Sequence, residues 1–171
     1  MDTYFDLGGY SFPVTTQSTE AQKWFDRGIL WTYGYNHEEA VICFERAIDA
    51  DPKCAMAYWG AGYASGPNYN MPWDLFDYAG RAAAARAGYA HARKALDMID
   101  GVTRWEAALI NALPARYPQP EPLDPETMKS WNVDFADAMR DVFAVHPESH
   151  EVRAVFAESL LNLTPWKMWD L

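Results

Sequence analysis

The sequence predicts an all-α fold, an α-solenoid of helix–turn–helix pairs with about seven helices. Three observations lead there. From Ala21 to Ala50, apolar residues return every three or four positions, with Trp24, Gly28 and Trp31 on one segment and Ala40, Phe44 and Ala47 on the next. A turn, Gly34-Tyr35-Asn36, separates the two segments, and Pro52 stops the second. The pattern then recurs, since Ala21, Trp24 and Gly28 return 34 residues later as Ala55, Tyr58 and Gly62. Small residues at Gly28 and Ala40 let two helices cross closely, and the rings of Trp24, Trp31 and Phe44 fill the space beside the crossing.

Each element follows in order. Residues 1–17 hold Gly8-Gly9 and Pro13 and read as an extended lead-in. Its Tyr4, Phe5, Tyr10 and Phe12 are expected to lie against the first helix or in a groove. The first repeat, 18–52, begins with Ser18 or Thr19 capping a helix that runs to about Tyr33. Asn36 caps the second helix, with Glu39 three residues on in a capping-box arrangement, and that helix ends near Ala50. The second repeat, 53–98, opens with CAMAYWGAGYAS and is cut by Gly66-Pro67. Its next small–large–small triplet, Ala85, Tyr89 and Ala92, comes late. Trp24 precedes Ala40 by 16 residues, whereas Tyr58 precedes Ala85 by 27, so about eleven residues are inserted near 66–78. Long ordered insertions are where repeat scaffolds tend to carry function.

Residues 102–171 read as degenerate repeats. Thr103 and Glu106 form a capping box for WEAALINALPARY, and four Pro between Pro118 and Pro125 mark a loop. Asp124 caps, and Pro125 starts, a helix reaching about Val145. Pro147 breaks it, and a last helix spans Ser149 to about Asn162. FAESLLNLTPW echoes GAGYASGPNYNMPW, so the chain reads as halting partway through a repeat. An unpaired final helix predicts self-association.

A net charge of −10 argues against nucleic acid or an anionic membrane surface as partner. No stretch approaches the ~20 apolar residues of a membrane span, so a soluble cytoplasmic protein is expected. Cys43 and Cys54 are too few for a disulfide framework and read as reduced, buried residues.

Trp-x3-Gly-x2-Trp, then Ala-x3-Phe-x2-Ala, then Pro is the pattern of a tetratricopeptide repeat. The likeness is closer than that. FDRGILWTYGYNHEEAVICFERAIDADPKCAMAYWGAGYASGPNYN, AALINALPARYP and FAESLLNLTPWKMWDL together resemble the amino-terminal region of bacterial and fungal tetratricopeptide proteins similar to the tetratricopeptide repeat protein 38 group. That resemblance covers nearly the whole chain and implies an α-solenoid whose carboxy-terminal portion lies beyond this sequence. It supplies no catalytic residues and no cofactor.

In such a solenoid the first helix of each pair lines the concave surface. Here that surface would carry Gln22, Phe25, Ile29 and Tyr33, then Met56, Trp59 and Tyr63, an uncharged aromatic set. Tetratricopeptide clamps for peptide carboxylates are similar to one another in placing Lys, Asn and Arg there, so Phe25 and Trp59 argue against such a clamp. A protein segment, an apolar ligand or the chain's own lead-in fits better. The insertion adds Asn68, Tyr69, Asn70 and Trp73, read either as a rigid binding turn or as helix-capping side chains. The expected function is a binding or scaffold module acting through this groove. The alternative is an enzyme or biosynthetic accessory protein with a small-molecule or metal site near His37, Glu38, Trp59, Asn68 and Asn70. No His-Glu-x-x-His, paired-Cys or phosphate-loop motif is present, so no metal or cofactor is expected.

Overall fold

Local signals set the helix ends. The computed structural model describes residues 4–167, and among these the chain forms seven α-helices and no strand. They are α1 (Thr19–Tyr33), α2 (His37–Ala50), α3 (Ala55–Ser65), α4 (Tyr78–Leu96), α5 (Arg104–Ala112), α6 (Pro125–Val145) and α7 (His150–Leu161). Short 3-10 turns occupy Trp73–Leu75 and Leu113–Arg116. Ser18, Asn36, Asp77, Thr103, Asp124 and Ser149 each accept a hydrogen bond from the backbone N–H three residues on. Caps of this kind are worth about 1 kcal/mol each. At Thr103 and Glu106 the capping box closes in both directions. At Asn36 only half forms, because Glu39 Oε1 instead accepts from Tyr4 Oη at 2.6 Å.

Helices α1 to α4 pack in sequence, each on the next. The Phe44 ring of α2 is gripped between two glycines. A Cβ on Gly28 of α1 would lie 2.6 Å from that ring, and one on Gly60 of α3 would also collide with it. Gly62, which the sequence period pairs with Gly28, lies against His91 and the Gly88 carbonyl of α4 and against Leu113 of the 113–116 turn.

A second difference concerns α1. Phe25 and Ile29 are fully buried, whereas Trp24 and Trp31 are half-buried and meet the lead-in. Tyr4 sits edge-on to Trp24 at 5.1 Å and Phe5 edge-on to Trp31 at 5.7 Å. The lead-in covers one flank of α1, and α2 and α3 take the other. Phe12 goes deeper. It is 2% exposed, stacks on Trp105 of α5 at 5.0 Å and touches Phe25 at 5.6 Å.

Helix α3 is the hub. Nine of its eleven residues are buried, and it packs on α1, α2, α4, α5 and the 113–116 turn. Helix α6 packs on α5 and on that turn, and α7 packs on α6. The chain's own second half therefore lies over the face of α3 that an open solenoid would leave to a ligand. Among the described residues, no helix is long and apolar enough to cross a membrane.

Candidate functional site

The expected groove residues separate into three environments. Phe25 and Trp59 are 0% exposed. Trp59 Nε1 donates to the Leu109 carbonyl of α5 at 3.1 Å and its ring stacks on Tyr63 at 5.2 Å, so α5 occupies the place expected for a ligand. Tyr33 and Tyr63 line a small hollow of about 180 Å³ together with His37 and Glu158. The insertion residues divide as well, with Asn68 and Trp73 buried, Tyr69 half-buried near Trp166, and Asn70 exposed.

What the fold does assemble is a cleft of about 520 Å³ where the insertion faces the start of α2. Asn36, His37, Glu38 and Val41 form one wall, and Ala64 to Gly66, Asn68, Met71 and Phe76 the other. Of the five residues in the enzyme alternative, His37, Glu38 and Asn68 meet here, whereas Trp59 lies in the core and Asn70 does not line the cleft. Among the described residues, no group of three or more His, Cys, Asp or Glu side chains is arranged to hold a metal ion.

The walls are built by specific contacts. Asn68 Oδ1 accepts from the backbone N–H groups of Asn70 (2.9 Å) and Met71 (3.1 Å), and Asn68 and Met71 pair through their backbones. This is the turn-forming use of Asn. The loop is anchored from below, where Arg116 Nη2 donates to the Pro67 carbonyl. Arg116 is 1% exposed, and its guanidinium lies 5.0 Å from the ring centres of both Tyr63 and Phe135. Glu158 of α7, bonded to Tyr63 Oη at 2.7 Å, supplies the nearby negative charge. Gly66 is required for this approach, because a Cβ there would strike the Tyr117 hydroxyl.

The rim carries an unusual backbone. Helix α1 ends with Asn36 N–H bonding the Trp31 carbonyl (2.9 Å) and Tyr35 N–H the Thr32 carbonyl (3.0 Å). This closure puts the residue just before its last one in the left-handed region, a place normally taken by Gly. Here Gly34 has φ −80° and Tyr35 has φ 60°. A bulky residue held there costs about 1–2 kcal/mol. Tyr35 lines both the cleft and the hollow, and His37 is the other residue they share. Burial lowers the His37 pKa to about 4; the Arg116 charge adds to this and the Tyr35 backbone opposes it. His37 is therefore neutral at pH 7, and its buried Nδ1 has no hydrogen-bond partner by strict geometry among the described residues.

Of the other residues that build these sites, Met71 and Phe76 fall in the insertion and Tyr35 in the turn that the sequence marked, whereas Val41, Arg116 and Glu158 had no local signal. No known protein-family model, curated protein or solved structure matches this chain.

Proposed function

We propose that the chain is a tetratricopeptide-type α-solenoid binding module, related to the group whose amino-terminal region it resembles. Its recognition site is the cleft between the insertion and the start of α2. The occupant is a partner-protein segment that inserts one apolar side chain beside a Lys or Arg. Tyr35 carries this reading: a ring is held in a strained left-handed conformation at the cleft's rim, 41% exposed, with Met71 also exposed across the gap. Aromatic and thioether side chains at a rim are typical of protein-binding surfaces. The floor of Val41, Ala64 and Phe76 suits an apolar anchor, and exposed Glu38 with the net charge of −10 favours a basic neighbour.

An enzymatic reading has less support, because a His37 pKa lowered to about 4 makes it a weak base at pH 7 and Glu38 is exposed. Selection from a phage-displayed library of random peptides tests the binding reading. Enriched peptides should share an apolar residue next to a basic one and should bind at least about tenfold more weakly to Val41→Glu. Failure to enrich, or equal binding to Val41→Glu, sinks the proposal.

A further inference from the structure

Buried polar groups in folded proteins nearly always have partners, so several orphans in one place require a reason. Three of them line a cleft of about 290 Å³ on the other face of the insertion, between Trp73, α6 and the turn after α7. Trp73 Nε1, Asn132 Oδ1 and Asn162 Oδ1 have no hydrogen-bond partner among the described residues, and their residues are 0%, 6% and 5% exposed. The orientation of Asn162 is fixed. Its Nδ2 donates to Glu158 Oε1 at 2.6 Å, and Glu158 is itself held by Tyr63 Oη at 2.7 Å. That leaves the Asn162 carbonyl oxygen turned from the carboxylate. The remaining walls are apolar at Pro72, Val133, Leu163 and Pro165, with the exposed side chains of Asp74, Lys129, Thr164 and Lys167 around them.

The unmet demands are specific: the indole N–H needs an acceptor and the two amide oxygens need donors. A primary carboxamide carries one acceptor and two N–H donors on a single planar group, which matches that count. A carboxylate could accept from the indole and draw on Lys129 and Lys167, but like an ester it has no donor for the two amide oxygens. We propose that this cleft binds the primary carboxamide end of a small molecule with an apolar, ring-sized body. The site is separate from the cleft at α2 and does not depend on it. Trapped water is the competing explanation, since water can also donate and accept at such a site.

Nuclear magnetic resonance on the full chain, with benzamide as the probe, separates the two. The Trp73 indole N–H signal is identified by its loss in Trp73→Phe. Benzamide should shift that signal saturably. N,N-dimethylbenzamide, which keeps the ring and carbonyl but has no N–H, should bind at least about tenfold more weakly. Asn132→Leu should weaken benzamide by a similar factor. If either variant does not fold, the comparison of benzamide with its dimethyl derivative on the unmodified chain decides alone. An indole signal that benzamide never moves leaves water as the partner and overturns the proposal. So does equal binding of the two amides, which would make the cleft merely apolar.

Discussion

Single side chains in this protein do two jobs at once, and Glu106 is the clearest example. It closes the capping box of α5 with Thr103, yet it is fully buried because the lead-in lies over it. Its carboxylate also accepts from Thr15 N (2.6 Å) and Thr15 Oγ1 (2.6 Å), so it ties residues 91 positions apart. Glu106→Ala strands buried donors on both sides and should cost about 3–5 kcal/mol in denaturant unfolding. Thr103→Ala, which removes the cap and one hydroxyl donor to Glu106 at 2.7 Å but leaves the tie to Thr15, should cost about 1–2 kcal/mol. Equal costs would show that the clasp to the lead-in contributes nothing. His37 makes a prediction in pH. Its folded pKa, about 4, lies below the usual 6.5, so between those values the unfolded chain binds a proton that the folded chain does not. The stabilisation is complete above pH 6.5 and is lost as pH falls towards 4, amounting to about 2–3 kcal/mol. His37→Gln should remove that part of the acid sensitivity. An imidazole titrating near 6.5 by nuclear magnetic resonance would refute it.

At the scale of elements, the stacking of α1, α2 and α3 depends on how closely Gly28 and Gly60 approach the Phe44 ring. Gly28→Ala should cost about 1–3 kcal/mol through overpacking, despite the helix propensity gained. Combining it with Phe44→Leu should restore part of that loss, so the two changes should be non-additive in a double-mutant cycle. Strict additivity would mean the ring is free to move. Gly9 is the control, with nothing within 4 Å of an added Cβ, and Gly9→Ala should change little. Tyr35 poses the opposite case. Tyr35→Gly should stabilise the turn by about 1 kcal/mol while weakening whatever the cleft binds. A variant that is both more stable and fully competent in binding would remove the ground for calling that strain functional.

For the whole molecule, α3 is the centre and the lead-in is the strap. Helix α3 packs on α1, α2, α4 and α5, and its burial draws together parts of the chain from α1 to the 113–116 turn. The lead-in joins α1 through Phe12, α5 through Thr15 and α7 through Tyr10, whose Oη donates to Glu151 at 3.2 Å. Opening α3 means separating most of the core, so its amides should exchange with solvent only at the rate of global unfolding. Those of α7, packed mainly on α6, should exchange earlier. Hydrogen exchange read by mass spectrometry checks this order, and a fast α3 would mean that the two halves of the chain open independently.

The sequence by itself determined the helices. Caps at Ser18, Asn36, Thr103, Asp124 and Ser149, and Pro at 52, 125 and 147, act over three or four residues, so they can be read without knowing what packs where. It also marked the insertion near 66–78 as the irregular part. Only the tertiary structure decided which faces point inward. Nearly every position of α3 is apolar or small, so its pattern has no preferred side, and packing against α5 turned Trp59 from expected groove wall into core. The same holds for the sites. Glu158 of α7 meets Tyr63 of α3, and Asn162 just after α7 lines the same cleft as Trp73, so these sites join residues about ninety positions apart, and no local pattern records a contact made across that separation.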